Sequence, residues 1–139
     1  MKSLILIAVT LISSSVFACT DFSGNYKDQD GNITKITQIG CESIQFSSQG
    51  DSPSYVMITD GKMRQLLKFE IGSSSLIVNA KAAFENSILK ITTSGTNESD
   101  GNTETSFAEL IISLDTNGDL VNSQTSDDGT TDISVLNRI

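Results

Sequence analysis

Three segments of the chain, at residues 62–71, 75–84 and 106–114, alternate apolar with polar side chains. A period of two sends successive side chains to opposite faces of an extended strand, so each segment would bury one face. Half-buried strands of this kind are typical of antiparallel sheets. A helix over 63–67 or 80–84 is the alternative, but the alternation runs longer than a helix explains. The predicted inward residues are Met63, Gln65, Leu67, Phe69, Ile71, Leu76, Val78, Ala80, Ala82, Phe84, Ala108, Leu110, Ile112 and Leu114.

Short turn signals separate the predicted strands. Asp60-Gly61 and Asn117-Gly118 are dipeptides that favour two-residue hairpin loops, because both central positions of the favoured turn need positive φ. Glu85-Asn86 is predicted to turn the chain in the same way. These loops predict three cross-strand pairs, which are Ile58 with Met63, Ala82 with Leu89 and Leu114 with Val121.

The fold class predicted from strands and turns is all-β. Consecutive hairpins make an antiparallel up-and-down meander, and a long meander hides its two edges by closing into a barrel. A two-sheet β-sandwich is the alternative. The polar stretches at 94–103 and 123–130 are predicted to be exposed loops.

Residues 1–18 have the composition of a secretory signal peptide. Lys2 provides a positive start, and the apolar run Leu4–Ile12 is too short to span a bilayer as a helix. Val16 and Ala18 stand at the two positions that a signal peptidase reads. We therefore expect residues 19–139 to form a single β-barrel domain that is exported, to a periplasm or to the extracellular space.

The chain has two cysteines, Cys19 and Cys41, and two interpretations of Cys19 are open. Cleavage within the lipobox-like segment 16–19 would leave Cys19 as a lipid-anchored N-terminus. Cleavage after Ala18 would leave it free to pair with Cys41, which avoids a lone thiol in an oxidising compartment.

Hairpin geometry favours the disulfide. A three-residue loop with Gly31 in the left-handed position would set Tyr26 opposite Thr34. The same register carried outward sets Cys19 opposite Cys41, and an antiparallel pair at about 4.5 Å between Cα atoms can be bridged.

Composition excludes several classes of function. A net charge of −8 argues against nucleic acid and against an anionic membrane surface as partners. The chain has no histidine, so the commonest general base and transition-metal ligand are both missing. The segment Asp115–Asp119 is similar to the start of a calcium loop, but Ser126 stands where a bidentate acid is needed. We expect a non-catalytic protein with no metal and no cofactor. The sequence does not indicate the oligomeric state.

Several short segments resemble lipocalin-like (calycin) domains. Gly24-Asn25-Tyr26 resembles the Gly-x-Trp of their opening strand, with Tyr26 in place of the tryptophan. The segments 84–92 and 114–121 resemble a central and a late hairpin of small secreted members. Arg138 stands where these proteins often keep an arginine packed across the opening aromatic ring.

This resemblance implies an up-and-down barrel that holds a small apolar ligand, with Arg138 lying across the ring of Tyr26. The alternative is a structural or envelope-associated interaction protein whose barrel is filled by its own side chains. If a ligand binds, the residues expected to line it are Phe69, Val78, Phe84, Leu89, Leu110 and Ile112, with Gln65 orienting its polar end.

Overall fold

The structure, a computed structural model, describes residues 19–50 and 54–139. The predicted signal peptide, residues 1–18, lies outside the described residues. Within the described ranges the chain forms ten strands: β1 (Gly24–Lys27), β2 (Ile33–Ile39), β3 (Ser43–Ser48), β4 (Tyr55–Ile58), β5 (Arg64–Ile71), β6 (Ser74–Glu85), β7 (Ile88–Ser99), β8 (Asn102–Leu114), β9 (Leu120–Ser126) and β10 (Thr131–Arg138).

The strands form one antiparallel sheet in the order β4-β3-β2-β1-β10-β9-β8-β7-β6-β5. Every neighbour is consecutive in the chain except β1 and β10, which pair at Tyr26–Arg138 and Lys27–Asn137. The first and last strands thereby close most of the cylinder. The predicted all-β meander is confirmed, as a nearly closed barrel rather than a two-sheet sandwich.

The barrel has a seam between β4 and β5, the two ends of the sheet. The hairpin predicted at Asp60-Gly61, with Ile58 opposite Met63, is therefore wrong. Asp60 instead bridges to Ala83 of β6, and the Gly61 N–H donates to the Ala82 carbonyl. The segment that connects β4 to β5 is thus hydrogen-bonded to β6.

Two other hairpins form with a different register from the predicted one. The loop after β6 is Asn86-Ser87, with Asn86 at φ 57°, so Phe84 pairs with Leu89 and Ala82 with Ile91. This shift of two residues leaves each side chain on its predicted face.

The β8–β9 loop has three residues rather than two. Leu114 therefore pairs with Leu120 and not with Val121, and Leu120 is 2% exposed inside the barrel. The Asp115 carboxylate accepts hydrogen bonds from the N–H groups of Asn117 and Asp119, which holds the longer loop. A slip of one residue reverses the faces of β9.

The polar stretch 94–103 is not a loop. Its threonines and serines extend β7 to Ser99 and begin β8 at Asn102, in a long hairpin. Asp100 and Gly101 turn the chain with φ angles of 49° and 78°, the positive values that a tight hairpin turn needs. In the second polar stretch only residues 127–130 form a loop, because β9 continues to Ser126.

A β-bulge interrupts the alternation in β5. The register shifts between Gln65 and Leu67, so Gln65 pairs with Asn79 while Leu67 pairs with Val78. Gln65 and Leu67 therefore lie on opposite faces, and the inward position predicted for Gln65 is wrong. Beyond the bulge, Leu67, Phe69 and Ile71 share the inner face.

The core fills one end of the barrel. We call this the closed end; it contains Cys19, Cys41 and the segment 59–61, whereas the open end carries the turns at 72–73 and 100–101. The rings of Phe22 and Phe84 stack with centroids 6.2 Å apart. Burial of each large apolar side chain contributes about 1.5–3 kcal/mol. The fully buried side chains, which we call the floor, are Phe22, Tyr26, Ile36, Ile44, Leu89, Ile112 and Leu120.

Candidate ligand-binding interior

A disulfide fastens the closed end. Cys19 and Cys41 are bonded with Cα atoms 5.7 Å apart, which confirms the predicted pair. Between this bond and the regular β1–β2 ladder, the Gln38 side chain replaces main-chain pairing. Its Oε1 accepts from the Phe22 N–H, and its Nε2 donates to the carbonyls of Thr20 and Gly40. The N-terminal segment is thereby held in the register that the hairpin predicted.

The first and last strands of the barrel meet at the floor. The Arg138 guanidinium carbon lies 5.9 Å from the ring centre of Tyr26, within cation–π range, and Nη2 donates to the Ser23 carbonyl at 2.8 Å. The contact predicted between these residues is present. A Cβ on Gly24 would lie 3.3 Å from Arg138 Nε, so the absence of a side chain there lets the guanidinium reach the ring.

Tyr26 is buried with its hydroxyl satisfied. The O–H donates to the Phe22 carbonyl at 2.9 Å. Burial raises the pKa of Tyr26 above its ordinary value, and the nearby Arg138 charge partly offsets this. The phenol therefore remains a neutral donor under ordinary conditions.

Small side chains line the barrel above the floor. The pairs Ala80–Thr93 and Thr93–Ala108, together with Ala108–Ser126, form a ring of inner positions with little volume. One pair nearer the open end, Gly95 lies opposite Ser106. These side chains are smaller than the aromatic and branched side chains that meet at the floor.

A groove of about 590 Å³ continues this surface at the open end. It is large enough for a small molecule but is open to solvent, whereas typical small-molecule sites enclose most of the ligand surface. The seam, in contrast, holds a cleft of about 110 Å³ lined in part by Val56, Leu66 and Ala82, which is too small for such a ligand. The groove is lined by Leu76, Gly95, Asn97, Glu104, Thr105 and Ser106.

One buried side-chain polar atom in the described part of the barrel has no hydrogen-bond partner. It is Oδ1 of Asn122, on β9. Asn122 pairs with Ile112 on one side and Ser134 on the other, and Ile112 is part of the floor, so Asn122 belongs to the inner face. Leaving a buried acceptor unpaired costs about 1–3 kcal/mol, so such atoms in native proteins usually meet a water or a ligand.

The predicted ligand-lining residues divide into three groups. Phe84, Leu89, Leu110 and Ile112 share the inner face, but Leu89 and Ile112 are fully buried in the floor. Val78 and Phe69 lie on the same face nearer the open end, and Phe69 is half-exposed opposite Leu76. Gln65 faces away and borders the seam cleft.

Asn122 is the residue that sequence reasoning missed. Leu120, Asn122, Gln124 and Ser126 alternate along β9, but the predicted pairing of Leu114 with Val121 put this set on the outer face. The signal that could have found it is Gly118, which at φ 84° ends a three-residue loop as Gly31 does at φ 90°.

Charged side chains pair mainly outside the barrel. Arg64 and Asp60 form an ion pair at 2.6 Å beside the seam, and its hydrogen bonds hold the pKa of Asp60 well below its usual range. Lys90 and Glu109 pair at 2.7 Å across β7 and β8. Among the described residues, no group of three or more His, Cys, Asp or Glu side chains is arranged to hold a metal ion.

Two further findings concern the chain as a whole. No helix in residues 19–50 and 54–139 has the length and apolar character needed to cross a membrane. The chain matches no protein-family model, and no curated protein or solved structure is significantly similar to it.

Proposed function

We propose that this protein binds a small, largely apolar molecule carrying one hydrogen-bond donor, inside the barrel, with the donor at the level of the floor and the apolar body toward the open end. The observation that carries the proposal is the buried, unpartnered Oδ1 of Asn122 on the inner face. A hydroxyl or amine of the ligand would satisfy this acceptor. In this respect the protein would act as a lipocalin-like carrier or sensor with no catalytic role.

The lining supports an apolar ligand body. Ile112 of β8 lies directly opposite Asn122, and Leu110 lies one inner position nearer the open end, opposite Gln124. Val78, Leu76 and Phe69 lie further toward the open end. Small residues such as Ala80 and Ala108 leave room between these two levels. Sites of this composition, mostly apolar with one or two polar groups, are typical of small-molecule pockets.

The proposed place of action is a periplasm or the extracellular space. Disulfides persist in oxidising compartments and are rare in the cytosol, so the Cys19–Cys41 bond is consistent with an exported protein. With Cys19 in that bond its thiol is not available for lipid attachment. We therefore favour a protein released from its signal peptide over one anchored through Cys19.

Titration with N-phenyl-1-naphthylamine tests the proposal, because this apolar fluorophore carries a single N–H donor. We expect one saturable site with a rise in fluorescence, and at least tenfold weaker binding in Asn122→Leu, since a lost hydrogen bond of about 1.5 kcal/mol corresponds to that ratio. The control is Asn137→Leu, an exposed asparagine on β10. Equal affinity in wild type and Asn122→Leu, or no saturable binding, would refute the proposed site.

A second candidate function is that of an interaction protein with a filled barrel. The packing of the floor favours it, because the side chains of Phe22, Tyr26 and Leu89 fill that end of the barrel and have no exposed surface. In that case the functional surface would be external. Solvent-exposed apolar side chains such as Val56, Ile133 and Val135 provide it.

A further inference from the structure

Strand β5 is the terminal strand of the sheet and carries exposed apolar residues. Among the described residues it pairs with β6 alone. Phe69 is 51% exposed, Ile71 is 80% exposed, and Leu76 of β6 lies directly opposite Phe69. An exposed apolar edge strand is a template for pairing with another chain unless it is covered.

The turn after β5 fixes which main-chain groups face this edge. Gly72 and Ser73 form a two-residue loop, with Ile71 opposite Ser74 and Gly72 at φ 61°. In such a turn the first and fourth residues share a hydrogen bond, so the main chain of Ile71 points to β6. Because this direction alternates along a strand, the N–H and C=O groups of Lys68 and Glu70 point to the free edge.

Charge makes this edge complementary to itself. Lys68 and Glu70 carry opposite charges, lie on one face two positions apart, and form an ion pair at 2.6 Å within the strand. In an antiparallel pair centred on Phe69, Lys68 of each copy would lie opposite Glu70 of the other. Leu67 of each copy would likewise lie opposite Ile71 of the other.

We propose that two copies of this chain associate through β5 in a two-fold symmetric antiparallel pair with Phe69 at the axis. Lys68 and Glu70 of opposite copies exchange main-chain hydrogen bonds as well as charges. The two Phe69 rings, with Leu67, Ile71 and Leu76, form a continuous apolar strip on the inner face. The dimer does not require a bound ligand, although Phe69 and Leu76 belong to both the strip and the proposed ligand-binding lining.

Neighbouring registers are less favourable. Centring the axis on Lys68 sets two lysines opposite each other, and centring it on Glu70 sets two glutamates opposite each other, both destabilising arrangements. If the register slipped by a single residue, the free N–H and C=O groups of one copy would lie opposite main-chain groups of the other copy that are already hydrogen-bonded to β6. The contact involves one strand from each copy, so we expect a reversible dimer at the small end of interface sizes, below about 1,200 Å².

Sedimentation equilibrium of the oxidised protein tests the dimer. We expect a monomer–dimer equilibrium that is weakened at least tenfold by Lys68→Glu and by Glu70→Lys, because each single reversal opposes like charges. The double variant Lys68→Glu/Glu70→Lys restores opposite charges and should recover wild-type dimerisation. The matched control is Lys90→Glu, which breaks an ion pair of similar length on central strands and should leave the dimer unchanged.

Cross-linking tests the register of the pair directly and does not depend on the charge-reversal variants folding normally. Phe69→Cys places two thiols at the axis, where opposed Cα atoms of a non-hydrogen-bonded pair are about 4.5 Å apart, within disulfide range. It should form a covalent dimer on mild oxidation, and Lys68→Cys should not. A protein that stays monomeric at its highest soluble concentration, a dimer indifferent to the single reversals, or a β5 edge occupied only by another polypeptide would overturn the proposal.

Discussion

At the scale of single residues, a few polar side chains decide how the barrel is closed. Gln38 continues the β1–β2 register where main-chain pairing ends, and Arg138 joins the last strand to the carbonyl of Ser23. Tyr26 lies between them, buried and hydrogen-bonded to Phe22. Each of these groups satisfies a main-chain atom that would otherwise be unpaired near the floor.

Tyr26→Phe should destabilise the fold in a pH-dependent way. At neutral pH the loss of the hydrogen bond to Phe22 is expected to cost about 0.5–1.5 kcal/mol. The pKa of Tyr26 is raised in the folded protein, so its contribution is fully present below the unfolded value of 10.0 and is lost as pH rises through the higher folded value. The wild-type advantage should therefore shrink in alkali.

Urea unfolding of the wild type and Tyr26→Phe at neutral and alkaline pH measures this difference. Tyr55→Phe, at the chain's other tyrosine, is the control. A wild-type advantage that is constant, or that grows, in alkali would contradict the raised pKa.

Arg138→Ala should lower the free energy of unfolding by about 1–2 kcal/mol, because it removes both the cation–π contact and the hydrogen bond to Ser23. Lys62→Ala, at an exposed cation outside the strands, should change it by less than about 0.5 kcal/mol. Chemical denaturation of the two variants compares them. Equal effects would mean that Arg138 is a solvated terminal residue.

At the scale of strands and turns, the hairpins predicted at Gly31 and Gly118 form, but the register is as predicted only at Gly31, and the hairpin predicted at Gly61 does not form. The β1–β2 loop ending at Gly31 gave the correct pairs and, with them, the Cys19–Cys41 bond. Asn117-Gly118 predicts a two-residue loop, but Asp115 supports a loop of three residues, so Asn122 lies on the inner face and not on the predicted outer face. Residue propensities do not distinguish loops that differ by one residue, yet that difference moves every side chain of the following strand to the opposite face.

Interactions distant in sequence explain the remaining differences. The turn at Asp60-Gly61 is local, but the Gly61 N–H bonds to Ala82, and nothing in the turn itself specifies that partner. The polar residues at 94–99 and 102–103 form strands because each has a cross-strand neighbour in the long β7–β8 hairpin. Their low apolar content predicts a loop, because the sequence pattern reports burial, whereas these strands are stabilised mainly by cross-strand pairing.

Reduction of the disulfide should lower the melting temperature. The bond joins residues 22 apart in sequence, and a loop of this length contributes about 3 kcal/mol in the chain-entropy model. Differential scanning calorimetry with and without reductant measures the shift. The double variant Cys19→Ser/Cys41→Ser should melt near the melting temperature of the reduced wild type, and reductant should not change it. Two free thiols in the untreated protein would contradict the bond.

At the scale of the whole molecule, the barrel has two unlike halves. Pairing of β1 with β10 and the bridge from Asp60 to β6 join the sheet at the closed end, where the floor is packed. Toward the open end the lining changes to small and polar residues, and the strands β6, β7 and β8 extend beyond the shorter ones. A small barrel is either filled by its own side chains or holds one small ligand, and the smaller side chains above the floor are the basis on which we propose the second.

Native mass spectrometry of the protein, purified after export without denaturation, tests the ligand-binding claim most directly. We predict a second species, heavier than the polypeptide by the mass of one small molecule, that disappears on acid denaturation and is depleted in Asn122→Leu but not in Asn137→Leu. The bound compound should be extractable into organic solvent. A single species at the polypeptide mass, together with no saturable binding of N-phenyl-1-naphthylamine, would contradict the account and favour a barrel filled by its own side chains.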